Sequence, residues 1–301
     1  MSTLVVGGTG LVGGATVRKL RDRQQPLSVM LRGGDRHPKA AALRELGVTI
    51  VDGNLTDPES CARACRGAEV VICTATSMPT GANDGLRRVD REGTLSLIDS
   101  AAAAGVERFV YVSYSANLQE PSPLDTAKRD CERRLMASKM TTVILRPSYF
   151  MEVWLSPALG FDPRGGSVRV YGSGDAPVSY VAADNVAAFA AAAATHQYPD
   201  RHSAIEIGGP QAISQREAVR IFERSLGTTV TVQQVPLEAL QSQRQSDDPL
   251  KQTFAALMVA YTKGDMIHGA RAAAAQHGVV LRSVEDYATS PAPGAAGASH
   301  G

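Results

Sequence analysis

The chain has 301 residues, 44% of them hydrophobic, and carries 31 basic and 30 acidic side chains for a formal net charge of +1. That is ample for a buried core, as one large domain or one and a half. The near-neutral balance, with no basic stripe interleaved with aromatics, argues against nucleic-acid binding. The longest apolar runs, such as "VAAFAAAAA" at 186–194, fall short of the ~20 residues a membrane span needs.

Strand-like and helix-like patterns alternate through the first half. "TLVVGG" reads as a strand, "GGATVRKLRDR" as a helix, "PLSVMLR" as a second strand and "HPKAAALRELG" as a helix closed by Gly47. "VTIVDG" is a third strand. "TDPESCARACRG" follows, with Thr56 three residues before Glu59 in a capping-box pattern. "AEVVICTA", "RFVYVSYS" and "TTVILRPS" are three further strands, separated by the helices "DREGTLSLIDSAAAAG" and "DTAKRDCERRLMAS". The strands are short and nearly continuously apolar, as strands covered on both faces must be. Strict alternation then predicts a doubly wound α/β fold with a parallel sheet.

After residue 150 the rhythm changes. "SVRVYGSGDAPVSYV" suggests two extended pieces around a glycine-rich turn, "DNVAAFAAAAATH" a helix and "SAIEIGG" a strand. "SQREAVRIFERSLG" is a helix with Ser214 and Glu217 as a second capping box. "TVTVQQV" and two helices, "LEALQSQRQ" and "PLKQTFAALMVAY", follow. The expected organisation is a Rossmann domain over 1–150, with a returning segment near 178–210, and a smaller substrate lobe mainly over 151–289. Residues 290–301 hold only small residues, proline and one histidine, and read as a disordered tail. No basic and apolar leader opens the sequence. Cys61, Cys65, Cys73 and Cys131 show no metal-ligand spacing, and the six histidines form no cluster, so no metal is expected. Reduced thiols suit a cytoplasmic protein.

The stretch "VVGGTGLVGG" at 5–14 places Gly7, Gly10 and Gly13 between the first strand and the first helix. In that setting a glycine permits the sharp turn, another lets a pyrophosphate approach the backbone, and the third lets the helix lie close to the sheet. Free N–H groups and the positive dipole end of the helix suit phosphates, so the segment from Gly7 through Thr9, Gly10, Leu11, Val12 and Gly13 is a candidate dinucleotide cradle. The second strand ends at Arg32, where a cofactor with a free 2′-hydroxyl meets an acid. A guanidinium suits a 2′-phosphate, and Lys39 adds a second charge, which favours NADP(H) over NAD(H). Asp35, in the same loop, argues the other way.

Together "GGTGLVGG", "VDGNLTDPES", "VDREGTLSLIDSAAAAGVERFVYVS", "TTVILRPSYFME" and "IGGPQAIS" resemble the NmrA-like branch of the atypical short-chain dehydrogenase/reductases, over residues 1 to about 225. The resemblance implies a cofactor-binding Rossmann domain beneath a smaller lobe that closes over the substrate. It implies cofactor contacts at Asn54 and Leu55 on the adenine side, at Thr74, Ala75 and Thr76, at Ser113, and at Pro147, Ser148 and Tyr149 near the nicotinamide. The branch includes reductases of quinones and other aromatics, and also redox sensors without turnover.

Many short-chain reductases carry Tyr-x-x-x-Lys. Here "LDTAK" keeps Lys128 but has Leu124 in the tyrosine's place. Lys128 therefore stands as a candidate for holding the ribose and for moving a proton, and Tyr114 and Ser115 stand as alternative donors. Phe150, Met151 and Trp154, just after the sixth strand, form a candidate wall for a planar apolar substrate. The expectation is a cytoplasmic NADPH-dependent reductase of a conjugated, carbonyl, imine, azo or quinone-type small molecule, monomeric or homodimeric. The alternative is a non-catalytic NADP(H)-binding sensor.

Overall fold

The computed structural model describes residues 1–24, 26–78 and 84–290. The expected tail from 291 onward lies outside the described residues.

The apolar runs become strands β1 (Thr3–Val6), β2 (Leu27–Leu31), β3 (Thr49–Asp52), β4 (Val70–Cys73), β5 (Arg108–Val112) and β6 (Thr141–Pro147). Between them lie the helices α1 (Leu11–Asp22), α2 (Ala40–Glu45), α3 (Pro58–Cys65), α4 (Thr94–Ala103) and α5 (Pro123–Met136). The sheet order is β3-β2-β1-β4-β5-β6-β9, where β9 is His202–Ile207, and every pairing is parallel. Chain order reverses between β1 and β4, which opens a crevice at the carboxyl edge where such sheets bind ligands. Burial follows position. Strands β1, β4 and β5 are buried at every residue, whereas the edge strand β3 is half-exposed.

The helix boundaries follow cap chemistry. Helix α3 begins at Asp57, whose carboxylate accepts from the Glu59 N–H at 3.0 Å. The expected Thr56 box does not form. Asp57 is one residue nearer to Pro58, which stands in the first turn and fixes φ there. Ser122 caps α5 through the Asp125 N–H. The "DREGTL" segment starts earlier than expected: Leu86–Gly93 winds as a π-helix that runs on into α4.

Beyond β6 come α6 (Met151–Trp154), β7 (Phe161–Asp162), β8 (Ser167–Tyr171) and α7 (Ala183–Ala193). They are followed by α8 (Gln215–Leu226), β10 (Thr231–Val235), α9 (Leu237–Gln243), α10 (Pro249–Lys263), α11 (Ala270–Gln276) and α12 (Val284–Thr289). Helix α7 packs on α1 and β9 extends the large sheet, so the segment near 178–210 returns to the first half of the chain. A second sheet, β10-β8-β7, is covered by α8 and α10. Only one of the two extended pieces in 167–181 is a ladder strand. Val178 and Val181 make single bridges, to Ile213, Asp265 and Phe150, and bury the segment between the two sheets. The capping box of Ser214 and Glu217 forms as expected.

Candidate functional site

The glycine turn is packed so tightly that side chains are excluded at Gly7, Gly8 and Gly13. Gly7 has φ +87°, and a Cβ on it would stand 2.7 Å from the Ala75 nitrogen. A Cβ on Gly13 would stand 2.1 Å from the Gly7 carbonyl oxygen. Gly10 differs: it is exposed, and a Cβ there would meet only the Gly7 oxygen, at 3.4 Å. The open side of the turn is thus at Gly10, where α1 begins. Helix α1 has no side-chain cap at its N-terminus and no acid in its first turn, so its leading N–H groups and dipole end are unclaimed by side chains. Exposed Leu11 opens the helix, and Val12 packs partly against the core.

Beside the turn is a groove of about 350 Å³, lined by Thr9, Gly10, Leu11, Arg18, Lys39 and Leu43 among others. Lys39 Nζ donates to the Thr9 carbonyl at 2.8 Å, which brings the loop after β2 onto the turn. Arg32 is exposed and forms no hydrogen bond or ion pair with the described residues. The competing Asp35 carboxylate is held by Arg44 at 2.5 Å. Among the described residues Arg32 is therefore unengaged at this end, while the acid is already paired.

The other strand ends line the same edge. Thr74 Oγ1 donates to the Val6 and Gly7 carbonyls at 3.2 and 3.3 Å, and Ala75 and Thr76 continue outward with rising exposure. Asn54 accepts from the Thr56 N–H through Oδ1. Leu55 is buried in the core formed by α3, α4 and β4, so its side chain does not face the crevice. Ser113 is buried at the end of β5, with its N–H on the Leu145 carbonyl. Pro147 ends β6 and Ser148 follows it; both are buried, and the Ser148 hydroxyl has no partner among the described residues.

Lys128 is 6% exposed. Its Nζ donates to the Val112 carbonyl at 3.1 Å and lies 4.9 Å from the centre of the Tyr111 ring. Among the described residues no carboxylate is within ion-pair distance of it. An ammonium has three donors, so two are left without an acceptor among the described residues. A buried cation in this state is costly unless something else pairs with it.

The two alternative donors are otherwise engaged. Ser115 is fully buried, and its hydroxyl donates to Asp265 at 2.9 Å. It joins the loop after β5 to the second lobe. Tyr114 is half-buried. Its hydroxyl donates to Asp125 and its ring lies 4.6 Å under the Arg129 guanidinium. Burial, then the Asp125 carboxylate, pushes the phenol well above its ordinary value, so it stays protonated. The loop bearing these residues is anchored by Arg129 Nη2 on the Ser115 carbonyl at 2.8 Å and by the Ala116 N–H on Glu206. Behind it Arg146 pairs with Glu132 at 2.6 Å and with Glu206 at 3.3 Å. Burial alone would raise the Glu132 carboxyl; its bonds to Arg146 and the nearby Arg129 outweigh this and hold it below its usual value.

The sequence matches the NmrA-like family over residues 2–287. The chain belongs to the NmrA-like family. Within reach of that match it is 31% identical to the photosystem II assembly factor Ycf39 of Synechocystis sp., over 81% of this chain and 73% of that protein. It is 33% identical to a (4-alkanoyl-5-oxo-2,5-dihydrofuran-3-yl)methyl phosphate reductase of Streptomyces griseus, over 78% of each chain. The fold is that of the Escherichia coli NADPH-dependent quinone oxidoreductase QOR2, solved with NADPH: TM-score 0.78 at 20% identity, over 95% of this chain and 98% of that one.

One group of expected residues is not brought to the crevice of this NmrA-like protein. Met151 and Trp154 are buried, and Trp154 packs edge-on against Tyr149 and at a tilt against Tyr261, with ring centres 4.6 and 4.5 Å apart. They are core of the second lobe rather than an open wall, and Tyr149 is fixed there by its hydroxyl on the Leu257 carbonyl at 3.1 Å. Phe150 is half-buried. The open apolar surface lies on α10 instead. A groove of about 280 Å³ is lined by Gln243, Ser246, Lys251, Phe254 and Met258. Lys251, Phe254 and Met258 share a helix face at spacings of three and four, a signal the sequence held but which core helices share. Helix α10 packs on α5, which carries Lys128, and Met258 and Tyr114 pack against one cluster.

Proposed function

We propose that this protein is an NADPH-dependent reductase of a planar, conjugated small molecule. The observation that carries the reading is the buried Lys128 ammonium with two unspent donors at the carboxyl end of β5. Its retention makes physical sense if a bound ligand's oxygens complete its shell. The uncapped end of α1, the open side at Gly10 and the unpaired Ser148 hydroxyl fit a dinucleotide running along the same edge. Arg32 and Lys39 would take the 2′-phosphate, which makes NADP(H) the cofactor and NAD(H) the weaker one.

When bound, the nicotinamide supplies a hydride to the acceptor. Lys128 holds the ribose side and delivers the balancing proton through water, and Tyr114 stays a neutral phenol nearby. The residues near 1–150 and 178–210 hold the cofactor, and those of 151–289, chiefly α10, hold the acceptor. Four buried, unpaired cysteines suit a reducing cytoplasm. No helix among the described residues is long and apolar enough to cross a membrane.

The likeness to an assembly factor favours a second reading, an NADP(H)-binding protein without turnover. Following NADPH absorbance with quinone, enone, imine and azo acceptors separates the two. Steady consumption supports the enzyme, and tight NADPH binding without consumption supports the other reading.

A further inference from the structure

Resting on the NADP(H) reading above, we infer that Asp90 is a positioning residue that sets cofactor affinity through Ser77. Asp90 is fully buried and touches no surface. It lies inside the π-helical segment Leu86–Gly93, a rare winding that recurs at functional sites. Its Oδ2 accepts twice from Ser77, from the N–H at 2.8 Å and from the hydroxyl at 2.6 Å. Its Oδ1 is buried without a partner among the described residues. A carboxylate held in this way is a poor device for stability alone.

What it does hold is the strand end beside the glycine turn. Ser77 closes residues 74–77, and that segment has no slack against the turn. Thr74 Oγ1 bonds to the Gly7 carbonyl, and a Cβ on Gly13 would stand 2.5 Å from Thr74 Oγ1. Three residues beyond Asp90, a Cβ on Gly93 would stand 2.7 Å from the Leu55 carbonyl, so the same segment also rests on the loop after β3. Asp90 thus ties the ends of β1, β3 and β4 into one frame. Letting residues 74–77 shift displaces the turn that the pyrophosphate would meet.

The test is the NADPH dissociation constant of the full chain, measured by nucleotide fluorescence beside the melting temperature. Asp90→Ala should weaken NADPH about tenfold, and Asp90→Asn, which keeps an oxygen for the Ser77 N–H, should stay within about threefold of wild type. Ser77→Ala, which removes the hydroxyl bond to Asp90 and keeps the backbone one, should weaken binding about threefold, and should add nothing on top of Asp90→Ala. A purely structural role would lower the melting temperature and leave the dissociation constant alone, which would overturn the inference. If Asp90→Ala does not fold, Ser77→Ala decides, and an unchanged constant in that variant also overturns it. A wild-type protein that fails to bind NADPH overturns the cofactor reading as well, whereas wild-type binding with unaltered variants overturns this inference alone.

Discussion

The carbonyl oxygen of Gly7 stands 2.1 Å from where a Cβ on Gly13 would lie, so the first helix is seated directly on the turn that feeds it. Gly13→Ala forces the two apart. The overpacking should cost about 1–3 kcal/mol and lower Tm by roughly 2–10 °C, as calorimetry would show. Gly10→Val should do the reverse. Its side chain enters open space, so the fold and Tm should hold while NADPH binding is lost. A Gly10→Val protein with native NADPH affinity would remove the pyrophosphate from this turn.

Arg32 is exposed and unpaired among the described residues, and Asp35 is engaged by Arg44. NADPH should therefore bind more tightly than NADH, by about 1–3 kcal/mol if one charge-assisted bidentate contact forms. Titration of Arg32→Asp should show the order reversed. Equal affinities in the wild type would make Arg32 an ordinary surface charge.

The Rossmann half was legible because its signals are local. Apolar strands, capped helices and glycines at a strand-to-helix turn report their own environment. Distances across the chain were not. That Met151 and Trp154 turn into a core shared with Tyr261, 107 residues beyond Trp154, depends on how α10 folds back. The same holds for Ser115, whose hydroxyl looks available until Asp265, 150 residues away, accepts it. Asp90 is hidden from the sequence for another reason. In a charged, helical segment a carboxylate reads as solvated surface, whereas Asp90 is fully buried against Ser77 within a π-helical turn.

Glu132 gives the site a pH dependence. Its carboxyl is held below its usual value of 4.5 in the folded protein. A depressed folded value means the stabilisation is complete above the unfolded value and is lost as pH falls through the folded one. Glu132→Gln leaves Arg146 and Arg129 short of a buried partner and should cost about 3 kcal/mol at pH 7. Its deficit against wild type should shrink below about pH 4 in urea titrations. A deficit that does not vary with pH would show that Glu132 acts by packing alone.

The claim that matters most is that Lys128 works on a bound cofactor in a protein that turns over. The direct measurement is NADPH consumption with a quinone acceptor by the wild type and by Lys128→Met, each with its NADPH dissociation constant determined alongside. The account predicts steady consumption by the wild type. It predicts a rate roughly 10²- to 10⁴-fold lower in Lys128→Met, the range for a lost general acid, with NADPH affinity reduced much less. Consumption unchanged in Lys128→Met would contradict it, as would a wild type that binds NADPH tightly and reduces nothing.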